Sequence, residues 1–102
     1  MQAATAAFLR HLERERNASP HTIRAYGEDL AQFTAHARKE LGRDVHPRDV
    51  DHLLIRSFLA RLHERGLKKT SSARRLAALR SFFRWLCREG VLERNPARAL
   101  LS

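Results

Sequence analysis

With a single cysteine, Cys87, in 102 residues, the chain can form no internal disulfide and no thiolate zinc site. A reducing cytoplasm is the expected setting, and Cys87, next to Leu86, reads as a small buried hydrophobe. Four glycines and three prolines are too few for a loop-rich fold, and nearly all of them fall between helical patterns. No alternating apolar–polar run reaches strand length, and no repeat or low-complexity tract occurs. No stretch approaches the ~18 apolar residues of a membrane span. The opening MQAATAAFLRHL is charged too soon to read as a signal peptide. The six histidines (His11, His21, His36, His46, His52, His63) show neither spacing with cysteine for a zinc module nor an HExxH pattern. There is no glycine-rich phosphate loop and no serine or cysteine in a recognisable nucleophile setting. No metal site and no cofactor are expected, and the chain by itself is not expected to be a catalyst.

Acidic residues are also scarce, and unevenly so. Twenty Lys+Arg stand against 11 Asp+Glu, for a net charge of +9 and a pI near 11.4. Residues 1–60 hold 9 Lys/Arg and 8 Asp/Glu, a net of +1, whereas residues 61–102 hold 11 and 3, a net of +8. Such an asymmetry points to a polyanionic partner met by one part of the surface. A highly charged face that only confers solubility is the alternative. With 43% hydrophobic and 30% charged residues, the chain is globular rather than disordered, and its length fits one domain with a core of its own.

The periodicity predicts an all-α bundle of four to five helices. The first runs from about Ala3 to Arg16, with Phe8, Leu9 and Leu12 as its apolar edge, and Asn17-Ala18 turns out of it. Ser19-Pro20 opens the second, serine capping free N–H groups and proline fitting the first helical position. Ile23, Tyr26, Leu30, Phe33 and Ala37 form its core stripe, and Leu41-Gly42 closes it through a left-handed glycine. Gly27, in its interior, costs about 1 kcal/mol relative to alanine, which suggests close packing against a neighbour. Arg43 to Val50, containing His46-Pro47, is a loop or single turn. The third helix spans about Asp51 to Arg65, with Leu54, Ile55, Phe58, Leu59 and Leu62 inward and Gly66 as its stop. The fourth is expected to be capped within Thr70-Ser71-Ser72 and to reach Glu89, with Gly90 ending it. Val91 and Leu92 then fold back, and Asn95-Pro96 starts a last short helix in which the chain ends at Ser102.

The fourth helix carries the strongest functional signal. Successive residues about 100° apart put Leu76, Leu79, Phe83 and Leu86 in one sector. Arg80, Arg84 and Arg88, one turn apart, fill an adjoining arc with Arg74. That arc has no acid, although like charges at i,i+4 repel by a few tenths of a kcal/mol per pair. An anionic partner explains the arrangement; a solvated face snorkelling over apolar neighbours is the alternative. Lys68, Lys69, Thr70, Ser71, Ser72, Arg74 and Arg75 crowd the start of the helix, where free N–H groups attract phosphate. At the head of the second helix, His21, Thr22 and Arg24 offer further donors to phosphates or base edges, while capping alone explains Ser19. Trp85 and Ala78 fall opposite the leucine stripe, to be covered either by the tail after Gly90 or by a partner.

Two segments carry a family resemblance. SPHTIRAYGEDLAQF resembles the S-P-x-T-x-x-x-Y-x-x-D-L-x-x-F signature in the N-terminal domain of tyrosine site-specific recombinases. TSSARRLAALRSFFRWLCREGVLERNPA resembles the fourth-helix signature of the same domain, including its L-R-S-F-F core and closing G-x-L-x-x-N-P-A. With FLRHLERER ahead of them, the two motifs cover nearly the whole chain in the right order. The spelling is most similar to the XerC/XerD group of bacterial chromosome-dimer-resolving recombinases, on the XerC side.

The resemblance implies a SAM-like core-binding domain of two crossed helical hairpins spanning residues 1–102, with about 96–102 beginning a linker. In the family this domain is one half of a C-shaped clamp around double-stranded DNA, and the helices matching residues 20–41 and 70–89 face the major groove. The other half holds an Arg-His-Arg constellation and a nucleophilic tyrosine, none of which is expected in this chain. Tyr26 matches a structural tyrosine of the motif and is not carried over as the nucleophile. The DNA contacts implied are His21, Thr22, Arg24, Lys68, Lys69, Thr70, Ser71, Ser72, Arg74, Arg75, Arg80 and Arg84. Partner recombinase protomers would be met by helix one and the exposed side of helix three, and the isolated domain is expected to be a monomer. Two other readings stay open: a stand-alone helical regulator that binds DNA, and an interaction bundle whose basic face meets an acidic protein.

Overall fold

Capping residues set most of the helix boundaries. The computed structural model describes residues 1–100 and contains α1 (Gln2–Arg14), α2 (Pro20–Leu41), α3 (His52–Glu64) and α4 (Lys69–Arg88). No strand occurs among the described residues, so the chain is all-α. Ser19 Oγ accepts from the Thr22 N–H at 3.1 Å and Pro20 takes the first position of α2, as expected. Gly42 ends α2 at φ 71° with its N–H on the Arg38 carbonyl. Asp51 is not the first residue of α3 but its cap, accepting from the Leu54 N–H at 2.8 Å. Between α2 and α3, Pro47–Asp49 makes one 3-10 turn. The His46 Nδ1 accepts from the Arg48 N–H, and Asp49 Oδ2 accepts from both the His46 N–H and Arg43 Nη1. The bond from Arg43 holds the Asp49 carboxyl below the usual carboxylate range.

As with the start of α3, the end of α1 is shifted, to Arg14 rather than about Arg16, and two further boundaries differ from expectation. Helix α4 starts earlier than the Thr-Ser-Ser run, with Lys68 at its cap position and no side-chain bond there. Thr70, Ser71 and Ser72 therefore lie inside its first turn. The segment after Asn95 is a turn instead of a helix: Asn95 Oδ1 accepts from the Ala97 N–H, and the Asn95 carbonyl accepts from Arg98. An asparagine that bonds its own backbone two residues on favours a turn over helix continuation. The remainder of that expected helix, Leu101 and Ser102, lies outside the described residues.

All five phenylalanines of the sequence form one string through the core. Phe8 of α1 meets Phe82 of α4 at 5.5 Å, Phe82 and Phe83 are adjacent at 5.1 Å, Phe83 reaches Phe33 of α2 at 6.4 Å, and Phe33 meets Phe58 of α3 at 5.3 Å. Like α2, helix α4 packs against the other three. It buries Ala78 and Phe82 in addition to the expected Leu76, Leu79, Phe83 and Leu86. Trp85 is covered by α1, against Phe8 and His11 at 5.6 Å each, and not by the tail. Val91 and Leu92 do fold back onto the core. Gly27 faces α1, where an added Cβ would stand 3.4 Å from Leu9 Cδ1.

Candidate nucleic-acid interface

Because α4 is buried on two sides, its solvent side narrows to one stripe. Thr70, Arg74, Ala77, Ser81, Arg84 and Arg88, at alternating steps of four and three, are exposed or half-exposed. The whole of α4 contains no acidic residue, so the stripe carries three arginines and no carboxylate. At 1.5 Å per residue, Thr70 and Arg84 lie about 21 Å apart along the axis. That matches about six base steps of a duplex at 3.4 Å each.

The start of α4 is open to an anion. The first intrahelical bond runs from the Ser72 N–H to the Lys68 carbonyl, and no side chain caps the turn. The N–H groups of Lys69, Thr70 and Ser71 therefore point outward from an end that also carries two lysines, a combination that attracts phosphate. Helices α2 and α3, by contrast, are closed by Ser19 and Asp51.

Helices α2 and α4 meet in opposite senses. Gln32 meets Arg75, Asp29 meets Arg74, and Tyr26 shares a cleft with Ser81 and Arg84. The head of α2 therefore lies toward the Arg84 end of α4, and the Lys68–Ser72 turn toward the other end. His21 and Arg24 are exposed, and Thr22 is half-buried, its hydroxyl accepting from Ser19 Oγ at 3.0 Å.

The expected arginines differ in how far they are engaged within the fold. Arg84 and Arg88 are exposed with no protein partner among the described residues. Arg74 keeps 57% of its side chain exposed while Nη2 donates to Asp29 Oδ1 at 2.9 Å. Arg75 is 12% exposed and is drawn into the α2–α4 contact, with Nε on Gln32 Oε1 at 2.7 Å and Nη1 on the Ser71 carbonyl at 3.1 Å. Arg80 turns to the tail: Nε donates to the Ala97 carbonyl at 3.2 Å, and its own carbonyl accepts from Asn95 Nδ2 at 3.1 Å.

Asp29 was read from the sequence only as a position of the first signature segment, with no role of its own. Among the described residues it is the one charged residue with a buried side chain, at 3% exposure, and it fixes the Arg74 guanidinium at the surface. A carboxylate inside the α2 apolar stripe was the available signal. Arg94 and Arg98 were missed as well; with Arg80 and Arg84 they line a groove of about 1090 Å³ between the tail, α4 and the start of α3.

Residues 5–90 match the family described as phage integrase, N-terminal SAM-like domain, and the chain belongs to that family. Among curated proteins, the tyrosine recombinase XerC of Pelobacter propionicus is 51% identical over 94% of this chain and 32% of its own length. The XerC proteins of Azotobacter vinelandii and Pelotomaculum thermopropionicum are 45% and 42% identical, over 98% and 93% of this chain and 33% and 32% of theirs. The chain thus spans about a third of the length of these relatives. No solved structure matches it. The resemblance read from the two signature segments is confirmed, as is the all-α class. No helix among the described residues is long and apolar enough to cross a membrane.

Proposed function

We propose that this chain is the DNA-clamping domain of a XerC-type tyrosine recombinase, binding one face of a double-stranded recombination site. Strand cleavage and rejoining, in reactions that resolve chromosome dimers in the bacterial cytoplasm, would be the work of a catalytic domain joined through a linker near residues 96–102. The acid-free stripe of α4, beginning in an uncapped cationic turn, is the observation that carries the reading. Arg84, Arg88 and the Lys68–Ser72 turn would hold phosphates, Arg74 would present a fixed guanidinium, and His21, Thr22 and Arg24 would extend the contact. Arg75 and Arg80 would serve the surface by tying α2 and the tail to α4. In the parent protein, related recombinase protomers would be the protein partners, and the domain alone a monomer.

The test is duplex binding over a salt series. Each phosphate contact contributes about −0.9 to the slope of log K against log salt. Arg84→Ala and Arg88→Ala disturb no intramolecular bond, and each is expected to lower the slope by about 0.9 and weaken all duplexes alike. A loss confined to one sequence would mean that these residues read bases. Affinity that does not change between low and moderate salt would defeat the proposal.

A further inference from the structure

A second basic site lies away from the α4 stripe, in a groove of about 310 Å³ where α2, α3 and the start of α4 converge. Lys39 and His36 reach it from α2, Arg61 and Arg65 from the end of α3, and Arg75 from α4. No carboxylate lines it among the described residues. None of the three cations from α2 and α3 has an ion-pair partner among the described residues, whereas Arg38 next door pairs with Asp44 at 2.8 Å. Arg75 gives Nε and Nη1 to neutral acceptors, Gln32 and the Ser71 carbonyl. Its nearest acid, Asp29, stands 4.0 Å from Nε and already holds Arg74, so Nη2 of Arg75 is left without a protein partner among the described residues.

From these groups we infer that the groove binds a phosphate group, through Lys39, Arg61, Arg65 and Arg75. Four cations from three helices repel one another in the free protein, and an oxyanion removes that repulsion while accepting charge-assisted hydrogen bonds. The groove adjoins the Lys68–Ser72 turn through Leu67 and Arg75, which would let a nucleic-acid backbone continue from one to the other. Free phosphate has the same chemistry.

His36 is a built-in reporter. Ser57 Oγ donates to the Leu54 carbonyl at 2.7 Å, so in the 2.8 Å contact with His36 it accepts, and Nε2 carries the proton. The imidazole titrates at Nδ1. Burial lowers its pKa from 6.5, opposed by Glu40 and reinforced by Arg61, Arg65 and Lys39. A phosphate among those cations must push it back up.

The experiment follows the His36 ring by NMR against inorganic phosphate, with chloride at matched ionic strength as control. In parallel, the salt slope of duplex binding is compared between the wild-type protein and Arg61→Gln/Arg65→Gln. The expected results are a saturable shift with a raised His36 midpoint, lost in the variant, and a variant slope smaller by about 0.9 for each phosphate contact removed. Thermal melting confirms that the variant is folded. A phosphate response with an unchanged duplex slope assigns the site to a free anion; a changed slope alone assigns it to the backbone. If phosphate acts no differently from chloride and the slopes coincide, the inference is overturned while the DNA-clamp reading stands. The duplex arm rests on that reading, but the phosphate arm does not: absence of duplex binding by the wild type would defeat the clamp reading, and the phosphate titration would then decide this site alone.

Discussion

Asp29 and Arg74 are 45 positions apart, and at 2.9 Å theirs is the shorter of the two ion pairs made to the buried Asp29 carboxylate among the described residues. Removing Arg74 leaves a carboxylate at 3% exposure whose nearest remaining cation, Arg75, is 4.0 Å away. A buried acceptor deprived of its partner costs about 1–3 kcal/mol. A double-mutant cycle of Asp29→Asn and Arg74→Ala, read by urea unfolding, is expected to give a coupling of about 1–2 kcal/mol. Additive effects would mean that the pair holds nothing. At His36 the expectation concerns pH. A folded-state pKa below the ordinary 6.5 means that the unfolded chain binds more protons as pH falls through that value. The residue's contribution to stability is therefore complete above about 6.5 and declines below it. His36→Gln should flatten that part of the stability–pH curve in a phosphate-free buffer, and identical curves would exclude the effect.

Among the elements, glycines separate two kinds of constraint. Gly66 ends α3 at φ 82°, with its N–H on the His63 carbonyl and the Leu67 N–H on Leu62, the paired bonds of a Schellman closure. Alanine there is expected to cost about 1–2 kcal/mol. Gly27 is in regular helix, and a methyl would stand at ordinary contact distance from Leu9 Cδ1, so Gly27→Ala is expected to stabilise by about 0.8–1 kcal/mol. Thermal melts of both variants check the opposite signs. Helix boundaries were legible at Ser19, whose side chain caps α2, and at Gly42, Gly66 and Gly90, whose positive φ ends a helix, while Asp51 was placed one residue inside the helix it caps. They were not legible at Lys68, where backbone alone starts the helix, or at Asn95, whose side chain diverts the chain. Periodicity set Ala78 and Trp85 on a second covered face of α4 but left out Phe82 and did not identify α1 as the cover of Trp85, because a stripe along one helix does not reveal which neighbours enclose it. The site was readable as residue types and helix positions. Which arginines are committed within the fold was not, since their partners Asp29, Gln32 and Ala97 are remote in sequence.

At the scale of the molecule, α2 alone, 22 residues or about 33 Å long, spans nearly the full 36 Å extent. The string of phenylalanines ties all four helices into one core. Its centre is Phe82 and Phe83, both fully buried on α4. The same helix supplies the outward guanidinium groups of Arg74, Arg84 and Arg88. A ligand engaging them meets side chains mounted on a helix that the other three hold in place. Capture would then immobilise only rotamers, about 0.5–1.5 kcal/mol for each side chain, with no backbone left to order.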